Sequence, residues 1–155
     1  RTGPDPRNRG LFGAMWVAGL TQYLAKARVN YANVAIQSQY MDELLRLLKP
    51  LAGKPTLNVS VTGTKHELIS AYAVKERGSI LLCLVNLSSK AIANVKVMGD
   101  EAFSLEEEAR INSQFVPGKT PINIRSLETN DLWLRPYGIL LLRMTPLTQG
   151  QQTTH

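Results

Sequence analysis

Residues 69–98, ISAYAVKERGSILLCLVNLSSKAIANVKVM, decide the fold of this chain. Three runs rich in valine, isoleucine, leucine and alanine are separated by KERG and by LSSK. Runs of this length, bounded by glycine, serine and charged residues, predict β-strands joined by short turns. The stretch therefore predicts consecutive strands of an antiparallel sheet.

Strand-like segments also lie on both sides of this stretch. Counting those within it, six segments are bounded by turn residues: TLNVSVTG, ELISAYAV, SILLCLVNL, IANVKVM, INIRSL and LWLRPYGILLLRM. Short strands at this spacing are typical of a β-sandwich. We predict an antiparallel β-sandwich over residues 54–146, with residues 101–114, EAFSLEEEARINSQ, as a loop with a helical turn at one edge. Residues 147–155 are predicted to be a disordered tail.

The chain before the sandwich is predicted to begin with a loop, residues 1–10, and to continue as a helix over residues 11–28. The helix, LFGAMWVAGLTQYLAKAR, is apolar around nearly its whole circumference, which predicts burial against a large partner. Trp16 is predicted to lie in the core. Gly13 and Gly19 would each destabilise a helix by about 1 kcal/mol relative to alanine, so we expect another element to approach closely there.

A short strand and a second helix complete this first part. Residues 29–39, VNYANVAIQSQ, predict the strand, and YMDELLRLLKPLAG predicts an amphipathic helix that is stopped by Pro50 and Gly53. The apolar face of that helix is expected to contain Met41, Leu44, Leu45 and Leu48. The predicted fold class is therefore α+β, with loop, helix, strand and helix over residues 1–53 followed by the antiparallel β-sandwich.

Composition and charge argue against several classes of function. The chain has 155 residues, of which 44% are hydrophobic, enough for a folded domain with a sizeable core. The net charge of +6 comes from scattered basic residues, which argues against a nucleic-acid partner. No apolar run approaches the roughly 20 residues of a membrane-spanning helix, and no signal peptide is recognisable. The single cysteine, Cys83, lies in ILLCLV and is predicted to be a small buried hydrophobic residue.

Asn86 follows the apolar run ILLCLV and begins an Asn-Leu-Ser sequence that matches the glycosylation acceptor pattern. Asn58 begins a similar Asn-Val-Ser sequence, and both lie within predicted strands. Because Asn86 ends a buried strand, we predict instead that its side chain hydrogen-bonds to buried backbone there.

The order of these segments resembles the C-terminal part of retaining glycoside hydrolases of the large (β/α)8-barrel clan. MDELLRLLKPLAGKPTLNVSVTG is similar to the last barrel helix running into the first sandwich strand. LISAYAVKERGSILLCLVNLSS resembles the family's paired strands around a charged turn. LWLRPYGILLLRM resembles its closing strand, which carries a proline and an aromatic residue before the apolar run. Heparanase-like β-glucuronidases are similar in this way over residues 11–146, and the related arabinofuranosidase-like and xylosidase-like families share the layout.

The resemblance implies that no catalytic residue lies in this chain. Retaining glycosidases use two carboxyl groups about 5 to 5.5 Å apart, and in this clan both would precede Arg1. Asp5, between two prolines, is predicted to serve a turn. The run Glu106–Glu108 consists of adjacent residues and predicts a solvated face rather than a catalytic pair. His66 has no second ligand nearby, so neither a metal site nor a cofactor is predicted.

The resemblance also implies where substrate would bind. Barrel active sites form at the carboxyl ends of the strands. Gln37, Ser38 and Gln39 follow the predicted eighth strand, and amide groups there can bind sugar hydroxyls. These three are the candidate substrate-binding residues, and the alternative is a polar strand end. Arg7 and Arg9 could bind a substrate carboxylate, although a solvated loop is the simpler interpretation.

Three classes of function stay open. In the first, the chain is the C-terminal portion of a glycoside hydrolase and inactive alone. Its protein partner is then the missing barrel segment, or a partner chain, that docks on helix 11–28. Its other partner is a carbohydrate substrate bound by the complete barrel. In the second, it is a non-catalytic sandwich with a helical cap that binds carbohydrate or a protein partner. An exposed aromatic platform would favour this class, but only 6% of the residues are aromatic. Trp133 could lie in the core or on the sandwich surface, and we predict the core. In the third, it is an assembly domain. A secreted or periplasmic location is expected from the resemblance, and the sugar stays undetermined.

Overall fold

The computed structural model describes residues 11–26 and 39–147 of the chain. Two helices, α1 (Leu11–Lys26) and α2 (Gln39–Leu48), precede eight strands. The strands are β1 (Thr56–Leu57), β2 (Ile69–Glu76), β3 (Ser79–Asn86), β4 (Ala93–Lys96), β5 (Phe103–Ile111), β6 (Arg125–Leu127), β7 (Asp131–Leu134) and β8 (Ile139–Pro146). The predicted first loop, the predicted strand before α2 and most of the predicted tail lie outside the described residues.

The strands form two antiparallel sheets, which confirms the predicted antiparallel β-sandwich. The larger sheet has the order β1-β2-β3-β8-β5-β6, and the smaller sheet pairs β4 with β7. The smaller sheet covers one face of the larger sheet, and the two helices cover the other. The described part of the chain therefore has three layers and the α+β class expected from the sequence.

Strands β3 and β8 lie in the middle of the larger sheet and are buried on both faces. Leu82 and Leu84 pack toward the smaller sheet, whereas Leu81 and Cys83 pack toward the helices. A strand covered on both faces needs apolar side chains at successive positions, which explains why ILLCLV lacks a two-residue alternation. The prediction that Cys83 is buried is confirmed, and burial raises the pKa of its thiol to about 12.

Strands β2 and β3 are joined by the tight turn that KERG predicts. Glu76 pairs with Ser79, leaving Arg77 and Gly78 as the two turn residues. Their φ angles are 46° and 82°. Positive φ at both central residues is typical of the type I′ turn, whose twist matches that of the flanking strands.

The segment LWLRPYGILLLRM, predicted as one strand, is two strands in different sheets. β7 ends at Leu134 in the smaller sheet, and β8 begins at Ile139 in the larger. Between them, Pro136 has no N–H for a ladder bond, and the N–H of Gly138 donates to the carbonyl of Arg135 at 2.9 Å. A Cβ on Gly138 would lie 2.8 Å from that oxygen. This tight turn therefore favours glycine and carries the chain from one sheet to the other.

The segment predicted as a loop with a helical turn is strand β5, which pairs with β6 and β8. Alternate residues from Leu105 to Ile111 are buried. The ladder shifts at Glu108, between Glu107 and Ala109, which is a β-bulge. Leu105 consequently packs in the core between the sheets, whereas Ile111 packs in the core under the helices. The consecutive glutamates and the bulge conceal the strand pattern in the sequence.

Only the first two residues of the predicted strand TLNVSVTG pair with a neighbour, as β1 against β2. The following residues are not in a strand, yet Val59 and Val61 still pack against the core between the sheets. Their alternation with polar residues therefore reflects packing and not a continued β-ladder.

The helices pack on the larger sheet through apolar side chains. The buried residues are Ala14, Met15, Val17 and Ala18 in α1, and Met41, Leu44 and Leu47 in α2. The close approach predicted at Gly19 is confirmed, because a Cβ there would lie 3.2 Å from Cδ2 of Leu87. The predicted apolar face of α2 is wrong at Leu45, which is 48% exposed. The buried residues of α2 are spaced by three instead, and Leu51 in the next 3-10 turn, four residues after Leu47, is buried as well.

Asn86 is fully buried at the end of β3. Its Nδ2 atom donates to the carbonyl oxygens of Ala91, Leu134 and Arg135, at 2.9, 3.1 and 3.1 Å. Its Oδ1 atom accepts a hydrogen bond from the N–H of Ser88 at 3.0 Å. One side chain thus joins the end of β3, the loop before β4 and the turn between β7 and β8, which confirms the role predicted for it.

Candidate functional site

The candidate substrate-binding residues are only partly within the described part of the chain. Gln37 and Ser38 lie outside the described residues, as do Arg7 and Arg9. Gln39 is exposed, and it is the first residue of α2 instead of the last residue of a strand.

The start of α2 is joined to the loop that follows β5. The hydroxyl of Tyr40 donates to the carbonyl oxygen of Phe115 at 2.9 Å, and the two ring centroids are 6.3 Å apart. Phe115 is itself buried, with 3% of its surface exposed. This contact holds the loop of residues 112–124 against the residue that directly follows Gln39.

Trp16 is 53% exposed, so its predicted place in the core is wrong. Its immediate neighbours in α1 are buried, and Phe12 packs edge-on against Tyr137 with ring centroids 5.4 Å apart. Trp16 therefore lies on the side of α1 that the sheet does not cover. Together with the half-exposed Leu45 of α2, it defines the outer helix surface. Large apolar side chains that are half exposed are a common feature of protein interfaces.

Glu108 and Glu76 form an ion-pair network with two cations. Arg143 donates from Nε to Glu108 Oε1 at 2.5 Å and from Nη2 to Glu76 Oε2 at 3.2 Å. Lys54 donates from Nζ to Glu76 Oε1 at 3.0 Å. The hydrogen bond from Lys54, helped by Arg143, lowers the pKa of Glu76, and the hydrogen bond to Glu108 raises the pKa of Arg143. The prediction of a solvated face is therefore wrong at Glu108.

The network is poorly suited to glycosidase chemistry. A general acid in a glycosidase needs a carboxyl whose pKa is raised, so that it carries a proton at neutral pH. The pKa of Glu76 is lowered, because Lys54 and Arg143 stabilise its charged form. The arrangement instead cross-links β2, β5 and β8.

Replacing Glu76 with glutamine is expected to destabilise the protein at pH 7 and to matter less in acid. Because the folded-state pKa of Glu76 lies below its ordinary value of 4.5, its stabilising effect is complete above that value. The effect is lost as the pH falls through the folded-state pKa. Urea midpoints of the wild type and Glu76→Gln should therefore differ at pH 7 and converge below about pH 4.5. The exposed Glu101 provides the control variant Glu101→Gln, and a midpoint difference that is independent of pH would contradict the ion pair.

A groove of about 290 Å³ lies beside β5 and under the loop of residues 112–124. Its floor carries Glu107, which is 9% exposed, so the solvated face predicted for this residue is also wrong. Glu107 Oε1 accepts hydrogen bonds from Arg110 Nε and Nη2 at 2.9 and 2.8 Å, and from Arg125 Nη2 at 3.1 Å. The other lining residues are the polar Asn112, Gln114, Thr120 and Asn123 and the apolar Ala109, Phe115, Pro121 and Ile122. The groove therefore combines charged and amide groups with a mainly apolar surface.

Trp133 is 62% exposed, so its predicted burial is wrong as well. Side chains of a strand alternate between faces, and Leu132 and Leu134 both pack into the core between the sheets. Trp133 must therefore lie on the outer face of the smaller sheet, where it pairs with Asn94 of β4.

The described residues contain neither a candidate metal site nor a candidate membrane-spanning helix. No group of three or more histidine, cysteine, aspartate or glutamate residues there could hold a metal ion. His66 lies in a 3-10 turn, with its Nδ1 atom 3.1 Å from the carbonyl oxygen of Gly63. In the same residues, no helix is long and apolar enough to cross a membrane.

Comparison with known proteins relates this fold to glycoside hydrolases. No protein-family model and no curated protein matches the sequence. A GH51 arabinofuranosidase from Xanthomonas axonopodis pv. citri superimposes with a TM-score of 0.60 and 18% identity, over 84% of this chain and 35% of that enzyme. A GH30 endoxylanase from Clostridium papyrosolvens C71 superimposes with a TM-score of 0.58 and 8% identity, over 90% of this chain and 39% of that enzyme.

A third similar structure is the family 30 subfamily 8 xylanase from Clostridium acetobutylicum, with a TM-score of 0.57 and 8% identity. The match covers 88% of this chain and 40% of the xylanase. The chain therefore has the fold of one part of these glycoside hydrolases, which confirms the resemblance at the level of fold. It spans well under half the length of each enzyme.

The groove itself is not predicted by the sequence. The sequence contains two signals for the β5 side of the groove. One is the alternation of buried residues that begins at Leu105, and the other is the spacing of Glu107 and Arg110 on opposite sides of the bulge. Arg125 meets Glu107 from 18 residues away, and Tyr40 meets Phe115 from 75 residues away. Contacts at such separations leave no local pattern in a single sequence.

Proposed function

We propose that this chain is the C-terminal portion of a retaining glycoside hydrolase. In this proposal, residues 1–53 supply the last units of a (β/α)8 barrel, and residues 54–146 form the sandwich that packs on it and stabilises it. The catalytic carboxyl groups lie outside this chain. The observation that carries the proposal is the shared fold: 84 to 90% of this chain superimposes on glycoside hydrolases while covering only 35 to 40% of their length.

The outer helix surface supports this proposal. Trp16 and Leu45 are each about half exposed, at 53% and 48%, although both are large apolar residues. In a barrel, the last helices are flanked by helices from earlier units. We propose that the preceding barrel units, or a partner chain that supplies them, cover these two side chains.

Gln37, Ser38 and Gln39 are proposed to contact the substrate at the open end of that barrel. This proposal is supported by the position of Gln39 at the start of α2, since a barrel helix begins near the carboxyl end of the strand before it. In the complete enzyme, Gln37→Ala is expected to raise KM or to lower kcat. Unchanged values of both constants would return Gln37 to a purely structural role.

Activity measurements test the whole proposal. The purified 155-residue chain is expected to release no product from aryl glycosides such as nitrophenyl arabinofuranoside and nitrophenyl xyloside, because in this proposal the paired carboxyl groups lie outside it. The same chain produced together with the upstream segment of its gene is expected to hydrolyse at least one aryl glycoside. Turnover by the 155-residue chain alone would contradict the proposal, as would an upstream segment that encodes no βα units.

A second candidate function is a non-catalytic module that binds carbohydrate through Trp133. The observation that favours it is the 62% exposure of that indole on a sheet face, since aromatic rings stack on the apolar faces of sugars. Sedimentation of the chain with insoluble xylan or cellulose, compared with Trp133→Ala, tests this function. Loss of binding in the variant would favour it over the first proposal only if the longer enzyme also proved inactive.

A further inference from the structure

The helix layer does not extend over the edge of the larger sheet beyond β5. α1 contacts β2 and β3, whereas α2 packs in the same core as Ala109 and Ile111 of β5. β6 follows β5 as the last strand of this sheet. Residues 121–126, which lead into β6 and include its first two residues, are all exposed. In the described part of the chain, the helix layer therefore ends at α2, before the sheet does.

This uncovered edge is apolar. Val116, Ile122 and Ile124 are 47%, 40% and 67% exposed, and we call these three residues the sheet-edge surface. Two hydrogen bonds bring Val116 close to Ile122, because its N–H donates to Thr120 Oγ1 and its carbonyl oxygen accepts from the N–H of Thr120. Apolar sheet edges favour association with other chains unless a helix or a loop covers them. The sheet-edge surface is therefore a candidate docking surface.

The charge around the sheet-edge surface is positive. Residues 112–126 contain Lys119 and Arg125 but no acidic residue. Glu107 lies nearby in the groove, but Arg110 already binds it with two hydrogen bonds, at 2.9 and 2.8 Å. The side chain of Arg125 is 63% exposed, so much of its charge faces solvent. A partner with an apolar face and acidic residues at its rim would complement this surface.

The position of the sheet-edge surface relative to α2 indicates which partner covers it. In the proposed barrel, α1 and α2 are the last two helices of a closed ring, so α2 lies between α1 and the helix of the first βα unit. α1 contacts α2 and lies over β2 and β3. On the β5 side, the hydroxyl of Tyr40 donates to the carbonyl oxygen of Phe115, which holds the loop that carries Val116 against the start of α2. The sheet-edge surface is thus on the side of α2 where the ring closes.

We infer that the sheet-edge surface docks the helix of the first βα unit of the complete enzyme, through an apolar helix face with acidic residues at its rim. This inference rests on the proposed function, because only a closed barrel places its first unit beside its last. It goes beyond the covering of the outer helix surface, since the contact belongs to the sandwich and not to the helices. The sandwich then holds the first and last units of the barrel together.

Photo-crosslinking of the chain produced together with the upstream segment of its gene tests the inference. A benzophenone amino acid is placed at Lys119, an exposed residue whose N–H donates to the carbonyl oxygen of Val116 at 3.0 Å. Mass spectrometry is expected to find the cross-link in the first βα unit. The same amino acid at the exposed Lys96 of the smaller sheet is expected to give no link to that unit. A link from position 119 to a later unit or to a second copy, or no link at all, would overturn the inference.

Matched variants test whether the apolar side chains carry the contact. Ile122→Ser, Ile124→Ser is expected to lower the Tm of the longer protein by about 3 °C and to leave the 155-residue chain unchanged, because both side chains are exposed in that chain. Ile92→Ser, Met98→Ser replaces two other exposed residues and should change neither protein. The cross-link from position 119 should decrease in the first variant only. Equal Tm changes for the two pairs, or an equal change in the 155-residue chain, would contradict the docking.

Failure of this inference can be told apart from failure of the proposed function. If the longer protein hydrolyses an aryl glycoside but position 119 gives no link to the first unit, the docking is wrong and the proposed function stands. If the link forms but the longer protein hydrolyses no glycoside, the barrel closes on the sandwich and the assignment as a hydrolase is wrong. An upstream segment without βα units would overturn both.

Discussion

Asn86→Ala is expected to lower the free energy of unfolding by about 3 kcal/mol, a change of roughly 150-fold in the folding equilibrium. The substitution removes the donor to three backbone carbonyl groups and the acceptor for one backbone N–H, all around a fully buried side chain. A buried polar group that loses its partner costs about 1 to 3 kcal/mol, and water cannot fully replace Asn86 there. The measurement is urea unfolding followed by circular dichroism.

Two further variants identify the cause of this loss. Asn86→Asp keeps the size of the side chain and its acceptor oxygen but has no N–H donor, so it should destabilise about as much as alanine. Asn94→Ala is the control, because Asn94 is exposed and makes one hydrogen bond, to the carbonyl oxygen of Leu132 at 3.2 Å. It should cost less than about 1 kcal/mol. A similar small cost for Asn86→Ala would mean that the junction is held by packing alone.

The chain produced alone is expected to self-associate through the outer helix surface, and the double variant Trp16→Ser, Leu45→Ser should weaken this association by about 100-fold. Both side chains are about half exposed. Covering the exposed halves of a tryptophan and a leucine contributes about 3 kcal/mol at 25 cal/mol per Å². Such a gain corresponds to roughly two orders of magnitude in a dissociation constant. Sedimentation velocity over a range of protein concentrations measures it.

The choice of residues for this variant depends on the structure. Phe12 belongs to the interior, because it packs on Tyr137 and on the core under the helices, so its replacement would test stability and not association. Ile92→Ser, Met98→Ser is the matched control, since these two exposed residues lie beside the smaller sheet. A wild-type chain that stays monomeric at high concentration, with α1 protected from hydrogen exchange, would show that the helices need no further partner. The proposed docking of a barrel would then be wrong.

Much of the fold can be predicted from the sequence, because its signals are local. The turn at Arg77 and Gly78, the buried strands around Cys83, the close approach at Gly19 and the role of Asn86 all follow from a few adjacent residues. Turn conformation, strand burial and strand-end capping depend mainly on the local chain, so their patterns are visible in one sequence. The two helices and the antiparallel character of the sheets belong to the same group.

Other features were decided by tertiary packing. Trp16 and Trp133 are large and apolar, which favours the core, yet each lies on a face of its element that no other described element covers. The sequence specifies that these side chains are apolar but not where the covering layer ends. Strand β5 was concealed for a related reason, because Glu107 and Glu108 are stabilised by Arg125 and Arg143 from other strands, together with Arg110 of β5 itself.

The groove shows the same division between sequence and structure most clearly. The sequence by itself determined an α+β chain with helices before an antiparallel sandwich, since hydrophobic period and turn residues act over a few positions. Only the tertiary structure decided that Glu107, Arg125 and Phe115 line one groove and that Tyr40 joins it to the start of α2. These contacts form when the sheet and helices pack together, and hydrogen bonds between distant residues follow from that packing and not from any local pattern.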